Sequence, residues 1–231
     1  MSEGTATRPG KHSVTARQTA RKEFDRWAGS YDRSWLNEIV FFPSIRACQE
    51  EIYRWQQARG GGPYRILDVG CGTGNQLSLL ARDDDAEMLV GLDYSPVMVS
   101  QFAEKIRVSP AARERVHAVH GDSERLPFAD ASFDVLTCCN SFHHYPHQPA
   151  VIREFRRVLR PGGMALLIDG FRDNVVGWVV FDVIVTLAER DVHHAPWSSV
   201  RKWFQQAGLR DIRQRKMNVL APLLITTGFA T

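Results

Sequence analysis

Long hydrophobic runs are missing from this sequence. No stretch of about 18 or more apolar residues occurs, so no membrane-spanning helix is expected. Cysteine is scarce, with four in 231 residues. Cys48, Cys71, Cys138 and Cys139 show neither a disulfide framework nor metal-ligand spacing. Cys138 and Cys139 are adjacent inside an apolar run, where a free thiol behaves as a small hydrophobe. That usage suits a reducing compartment, and a cytoplasmic location is expected. An excess of one charge is also lacking. Against 26 acidic residues stand 29 basic ones, a net charge of +3, which is too small to point to nucleic acid. Internal repeats are absent, and low complexity is confined to the N-terminal segment and to Gly60-Gly61-Gly62-Pro63.

What is present is an ordinary globular composition, 44% hydrophobic and 24% charged, enough to bury a core without disulfide or metal staples. A chain of 231 residues fits one large domain. Residues 1–18 are basic and hydroxyl-rich without the apolar centre of a secretory signal, and read as a disordered tail. Residues 19–231 read as a single domain with an N-terminal helical cap over 19–60 and a lid-like insertion over 171–196. In the cap, a helical stretch from Ala20 to Ala28 leads to Gly29-Ser30-Tyr31-Asp32. A longer helix from Phe42 to Gln57 follows, with Ile45, Cys48, Ile52 and Trp55 at spacings of three or four.

Beyond Gly60-Gly61-Gly62, short apolar runs alternate with helical patterns. Strands are expected at Arg65–Val69, Met88–Asp93, Val116–Val119, Phe133–Cys138 and Met164–Ile168. Arg160-Pro161-Gly162-Gly163 reads as a strong breaker after a helix over Pro149–Leu159. This alternation indicates an α/β, doubly wound, Rossmann-like sheet. A helix near Ser199–Ala207 precedes two apolar segments, Leu209–Met217 and Val219–Phe229. Too few residues separate them for a crossover helix, so they should pair antiparallel.

The chemistry concentrates at Ile66-Leu67-Asp68-Val69-Gly70-Cys71-Gly72-Thr73-Gly74. A strand feeding a glycine cluster and then a helix brings backbone close to a ligand. The dinucleotide fingerprint wants a glycine where Asn75 stands, which disfavours NAD or FAD. The loop matches the G-x-G-x-G pattern of S-adenosylmethionine (SAM) enzymes. Its company strengthens that reading. Asp93 ends the second strand, where a carboxylate can accept both ribose hydroxyls. Asp122, in Gly121-Asp122-Ser123, can take an adenine amino group after the third strand, and Asp68 lies near the expected place of the methionine ammonium. Any one of these aspartates can be a turn or cap residue; three at three strand ends suit a cationic ligand rich in donors.

With Gly91-Leu92-Asp93-Tyr94-Ser95, with Gly121-Asp122-Ser123-Glu124-Arg125-Leu126-Pro127-Phe128, and with Phe155-Arg156-Arg157-Val158-Leu159-Arg160-Pro161-Gly162-Gly163, the chain resembles class I SAM-dependent methyltransferases. It is particularly similar to the group around the ubiquinone and menaquinone biosynthesis enzymes. The resemblance covers roughly residues 60 to 170, more weakly the tail, and is specific to the superfamily rather than to a substrate. It implies a seven-stranded sheet, mostly parallel with the last strand antiparallel. It also implies SAM bound by Gly70, Gly72, Asp93, Asp122 and Ser123, with Tyr31 approaching from above. Asp68, Cys71, Gly74, Tyr94 and Asn140 complete the expected cofactor set.

Methyl transfer from a sulfonium is an in-line displacement on an activated donor, so alignment supplies much of the acceleration. A base is needed only when the acceptor must lose a proton. Asn140-Ser141-Phe142-His143-His144-Tyr145 follows the fourth strand at the ligand edge of such a sheet. His143 or His144 is the expected base, with Tyr145 assisting; otherwise these residues shape the pocket wall. His193-His194 and Asp169 invite a metal, but Mg²⁺ prefers oxygen ligands and adjacent histidines diverge, so no metal is expected. The apolar stretch Val175–Ala188 reads as a helix over the pocket, against core packing or membrane-surface contact as alternatives. With Trp27, Trp35, Phe41, Phe42 and Phe142 it hints at an apolar or aromatic small-molecule substrate. Arg210, Arg213, Arg215 and Lys216 read as a solvated face or guarded strand edge. The expected function is SAM-dependent methylation of a small molecule. The alternatives are a SAM-binding protein without catalysis and, further off, an NAD-dependent oxidoreductase. The sequence fixes neither the acceptor atom (O, N, C or S) nor the oligomeric state.

Overall fold

Successive residues of a strand face opposite sides of a sheet. The runs here are apolar at both parities, so both faces must be covered, which is the habit of parallel sheets. The computed structural model describes residues 42–109, 114–170, 195–218 and 222–231. The expected tail over 1–18, the first part of the cap with Tyr31, Trp27, Trp35 and Phe41, and positions 171–194 of the expected lid, with His193 and His194, lie outside the described residues.

The elements run in chain order: α1 (Phe42–Ala58), β1 (Tyr64–Val69), α2 (Asn75–Leu80), β2 (Ala86–Asp93), α3 (Pro96–Val108), β3 (Val116–His120), β4 (Phe133–Cys139), a 3₁₀ turn (Phe142–His144), α4 (Gln148–Val158), β5 (Leu159–Gly170), α5 (Trp197–Gln206), β6 (Leu209–Asn218) and β7 (Pro222–Ala230). The seven strands form one sheet in the order β3-β2-β1-β4-β5-β7-β6. Strands β1 to β5 pair parallel, and β7 is antiparallel to both of its neighbours. The chain winds outward from β1 to β3, then returns to place β4 on the other side of β1. That reversal opens a crevice at the carboxyl ends of β1 and β4.

Packing follows strand parity. Ile66, Leu89, Val135 and Leu166 meet Cys48, Ile52 and Trp55 of α1, Leu77 of α2 and Phe102 of α3. Leu67, Val90, Leu136 and Leu167 meet Val151, Ile152 and Phe155 of α4 and Phe204 of α5. Ser95 caps α3 by accepting a hydrogen bond from the Met98 N–H at 3.2 Å, with Pro96 in the first turn.

Two features differ from the sequence reading. Arg160-Pro161-Gly162-Gly163 does not separate helix from strand; it forms an irregular bulge inside β5, which already pairs at Leu159 with Phe133. Gly162 is left-handed (φ 79°), and a Cβ on Gly163 would lie 2.9 Å from the carbonyls of Arg160 and Asp134. Only glycine permits that approach. The last two strands pair antiparallel as expected, but the later one, β7, slots between β5 and β6. The edge is left to β6, where Arg210, Arg213 and Arg215 are exposed and Arg215 pairs with Glu51 of α1 at 2.9 Å.

Phe102 is fully buried, its ring filling the places where Gly74 and Gly91 lack a Cβ. Phe102→Ala is therefore expected to cost about 3–5 kcal/mol in urea unfolding. A loss under about 1 kcal/mol, below the usual range for such truncations, would show that this ring is not what holds α3 and the glycine loop to the sheet.

Candidate functional site

The crevice is a cleft whose empty space, open solvent at its mouth included, is about 1170 Å³. Its floor is the loop after β1. The N–H groups of Gly70 and Cys71 both donate to the Leu92 carbonyl, at 2.8 and 3.1 Å, which ties the loop to β2. Asp93, at the end of β2, completes the tie. Its Oδ2 accepts from the Gly72 N–H and its Oδ1 from the Ser95 N–H, each at 2.8 Å. Gly72 has φ 54°, and a Cβ there would meet nothing within 4 Å. The position faces open cleft. Gly70 (φ 74°) is glycine for the opposite reason, because the Ser141 and Tyr145 hydroxyls occupy the space of its missing side chain.

Asp68 lies at the bottom of the cleft, 4% exposed. Its register partner Thr137 donates a hydrogen bond to Oδ1 at 2.7 Å, and Gln76 donates to Thr137 Oγ1 at 2.9 Å. Burial pushes the Asp68 carboxyl up to about 7; the nearby Asp93 charge adds to this and the Thr137 bond opposes it. Burial also raises Asp93, against backbone hydrogen bonds from Ser95, Gly72 and Tyr94. Across the cleft, Asp122 accepts the Glu124 N–H at 2.9 Å and its carbonyl accepts the Arg125 N–H at 3.0 Å. It is thus a turn residue as well as a lining one. Ser123 is buried beside it, while Tyr94 stands half-exposed near the His120 ring.

The β4 end forms the remaining wall. Asn140 holds a left-handed backbone (φ 55°), accessible to asparagine at modest cost. Its Nδ2 donates to Ser44 Oγ of α1 at 2.6 Å, which fastens that helix to the cleft rim. In the 3₁₀ turn the two histidines separate. His144 and Tyr145 line the cleft. His143 lies outside that lining, its Nδ1 2.6 Å from Asp169 Oδ1 and its N–H donating to Asp169 Oδ2 at 2.9 Å. A carboxylate can only accept here, so Nδ1 carries the proton. The two imidazole centroids are 4.0 Å apart.

Of the residues singled out in the sequence, Asp68, Gly70, Cys71, Gly72, Asp93, Tyr94, Asp122, Ser123, Asn140, His144 and Tyr145 converge on this cleft. Gly74 sits beneath it against Phe102. Sequence reasoning missed Thr137, Gln76 and Lys105, and named Ser141 only as part of the Asn140–Tyr145 stretch. Lys105 reaches from α3 to Thr73 Oγ1 at 3.0 Å and Asn75 Oδ1 at 2.8 Å. A hydroxyl within an apolar strand run, as at Thr137, is the signal that was available, since a buried donor needs a partner. Among the described residues no three His, Cys, Asp or Glu side chains are grouped to hold a metal.

A mostly parallel sheet in this order, with a glycine loop and carboxylates at successive strand ends, is the architecture of class I SAM-dependent methyltransferases. Comparison with known proteins agrees. Residues 67–167 match the methyltransferase domain family. The demethylmenaquinone methyltransferase of Listeria welshimeri is 32% identical over 165 residues, covering 71% of this chain and 67% of the relative. Its Staphylococcus aureus counterpart is 31% identical over 154 residues, 66% of this chain and 61% of that one. Among solved structures, a SAM-dependent methyltransferase of Thermotoga maritima superposes with TM-score 0.68 at 15% identity, covering 90% of this chain and 98% of that one. One from Aquifex aeolicus gives 0.62 at 18%, again covering 90% and 98%. The chain belongs to the class I SAM-dependent methyltransferases, in the group of small-molecule enzymes similar to the ubiquinone and menaquinone biosynthesis methyltransferases. It is an enzyme, and SAM is its cofactor. The donor set suits that group: Asp68, Asp93, Asp122 and Glu124 line one cleft and complement a ligand carrying a sulfonium and an ammonium.

The Asp68 carboxyl has a sign consequence for stability. With the folded value raised to about 7 from 3.8, its contribution is fully present below the unfolded value and lost as pH rises through the folded one. Asp68→Asn keeps an acceptor for Thr137. It is expected to stabilise the ligand-free protein by about 2–4 kcal/mol at pH ~8.5 and by almost nothing at pH ~4. Urea unfolding at both pH values checks this, and a difference that does not grow with pH would contradict it.

Proposed function

We propose that this enzyme methylates an apolar, aromatic small molecule of the hydroquinone type, with the cofactor lying over Gly72 among Asp68, Asp93 and Asp122. The observation that carries this reading is the open space at Gly72, bounded by those carboxylates. SAM, when bound, supplies an electrophilic methyl group. The chain's own residues do the rest. Asp93, already anchored by two backbone N–H groups, accepts the ribose hydroxyls with its remaining lone pairs. Asp122 and Ser123 take the adenine edge, with Tyr94 beside the ring, and Asp68 takes the ammonium. Gly70, Cys71 and Gly74 shape the floor and Asn140 holds the rim; Tyr31, expected from the resemblance to join them, lies outside the described residues.

His144 takes the acceptor's proton in this reading, and His143, oriented by Asp169, packs behind it. Loss of a hydroxyl proton makes a hydroquinone oxygen or its neighbouring ring carbon nucleophilic, which is what an in-line displacement requires. An aromatic acceptor is supported by the demethylmenaquinone methyltransferases that this chain resembles and by the apolar sequence of the expected lid over 171–196. This reading calls on no metal, nucleic acid or membrane insertion. Cytoplasmic residence accords with four free thiols.

Calorimetric titration with SAM and its demethylated product S-adenosylhomocysteine tests the cofactor placement. Asp93→Ala is expected to weaken SAM by about 1.5–3 kcal/mol, the scale of hydrogen bonds to a charged group, and Gly72→Val to abolish binding. Unchanged affinities would place the ligand elsewhere. Affinity for SAM should rise with pH as Asp68 ionises near 7, then fall as the free cofactor's amine deprotonates above about 7.7–8.

The acceptor is tested with a chemically reduced short-chain 2-prenyl-1,4-naphthoquinone and methyl-labelled SAM. Label should appear in the product, and His144→Gln should lower kcat by roughly 100-fold or more with SAM affinity kept. No labelled product from an enzyme that binds SAM would refute the acceptor class. An unchanged kcat would refute the base.

A further inference from the structure

Tyr145 presents an oxygen to the cleft whose proton direction can be worked out. Ser141 Oγ–H donates to the Val69 carbonyl at 3.2 Å, and a carbonyl can only accept. That hydroxyl has one proton, so in the 3.1 Å contact between Ser141 Oγ and the Tyr145 hydroxyl the phenol must be the donor. The Cys138 thiol, a weak donor to the phenol at 3.9 Å, stands on the same side as Ser141, 3.2 Å from its Oγ. Burial pushes the Tyr145 phenol well above its usual range, so it keeps this proton at any working pH. The proton is turned toward Ser141, which leaves the lone-pair density of the phenol oxygen for the cleft that Tyr145 lines.

The location of that lone pair is equally constrained. The phenol oxygen lies 2.6 Å from where a Gly70 Cβ would sit, directly over the first glycine of the loop. Its ring is braced edge-on by Phe142, with centroids 5.9 Å apart. A cofactor with its ribose at Asp93 and its amine at Asp68 has its sulfur between those two carboxylates, over the same stretch of loop. We infer that Tyr145 is a positioning residue for methyl transfer: its phenol oxygen accepts C–H···O contacts from the sulfonium methyl, and Ser141 keeps the phenol proton out of the way. This rests on the cofactor placement proposed above.

The chemistry favours a neutral acceptor with its proton turned away. Methyl hydrogens on a sulfonium carry unusual positive charge, which strengthens an otherwise weak C–H···O bond. An O–H dipole aimed at the same atoms would repel them. Holding the methyl by its hydrogens also fixes the S–CH₃ axis, the direction along which the acceptor must approach.

S-adenosylhomocysteine has neither the methyl nor the sulfur charge, so the pair of ligands isolates the contact. Binding of both to the full-length wild type, Tyr145→Phe and Ser141→Ala is measured by calorimetry, together with the methyl proton shift of bound ¹³C-methyl SAM. Tyr145→Phe is expected to weaken SAM roughly three- to tenfold while S-adenosylhomocysteine stays within about twofold. The methyl resonance, displaced downfield in the wild type, should return toward its free value. Ser141→Ala, which frees the phenol proton to turn into the cleft, should weaken SAM selectively as well. Equal weakening of both ligands, or no change in their ratio, overturns the inference while leaving the cofactor placement intact. A wild type that binds neither ligand overturns both.

Discussion

The site depends on the Asp93 carboxylate and the backbone N–H groups it holds. Through Gly72 it fixes the glycine loop; through Ser95 it fixes the first turn of α3. Strand β2, the loop after β1 and the helix after β2 are joined at one group. Desolvation of this carboxylate favours the loop conformation that brings an N–H to the acid. That conformation requires positive φ at Gly72, and it leaves open the space in which a ligand can lie against backbone. Cleft shape and cleft charge therefore have one origin.

The same arrangement strains the empty protein. The Asp68 and Asp93 carboxyls are both shifted upward by desolvation, and the Asp93 charge adds to the cost of ionising Asp68. Two carboxylates concentrated without a described cation in the cleft favour a ligand that brings positive charge with it. A sulfonium with an ammonium does so twice. The acidic cleft is a binding energy reserve held at the expense of the unliganded fold.

How much of this was legible in the sequence varies by element. The glycine loop and Asp93 were, because strand, glycines and terminal acid are local patterns with a single mechanical reading. The sheet and its antiparallel strand followed from alternation and from the short gap between the last two segments. The bulge at Arg160-Pro161-Gly162-Gly163 did not, since glycine and proline announce an irregularity without saying whether pairing continues through it. Nor could adjacency in sequence tell His143 from His144. Neighbouring residues of a tight turn point in different directions, and only Asp169, far along the chain on β5, reveals which way each goes. Thr137 was overlooked as a hydroxyl in apolar company, although a buried hydroxyl needs a partner.

The interposition of β7 has a consequence for biosynthesis. Strand β6 emerges from the ribosome first, yet its only neighbour in the sheet among the described residues is a strand translated after it. Until β7 is available, β6 has no ladder to join, and the outer face of β5 stands open along the registers from Met164 to Gly170. The sheet cannot be zipped progressively from one end. The nascent chain must carry an unpaired edge until its later strand arrives and closes both gaps at once, which makes that interval the one in which strand-to-strand misassociation is most favoured.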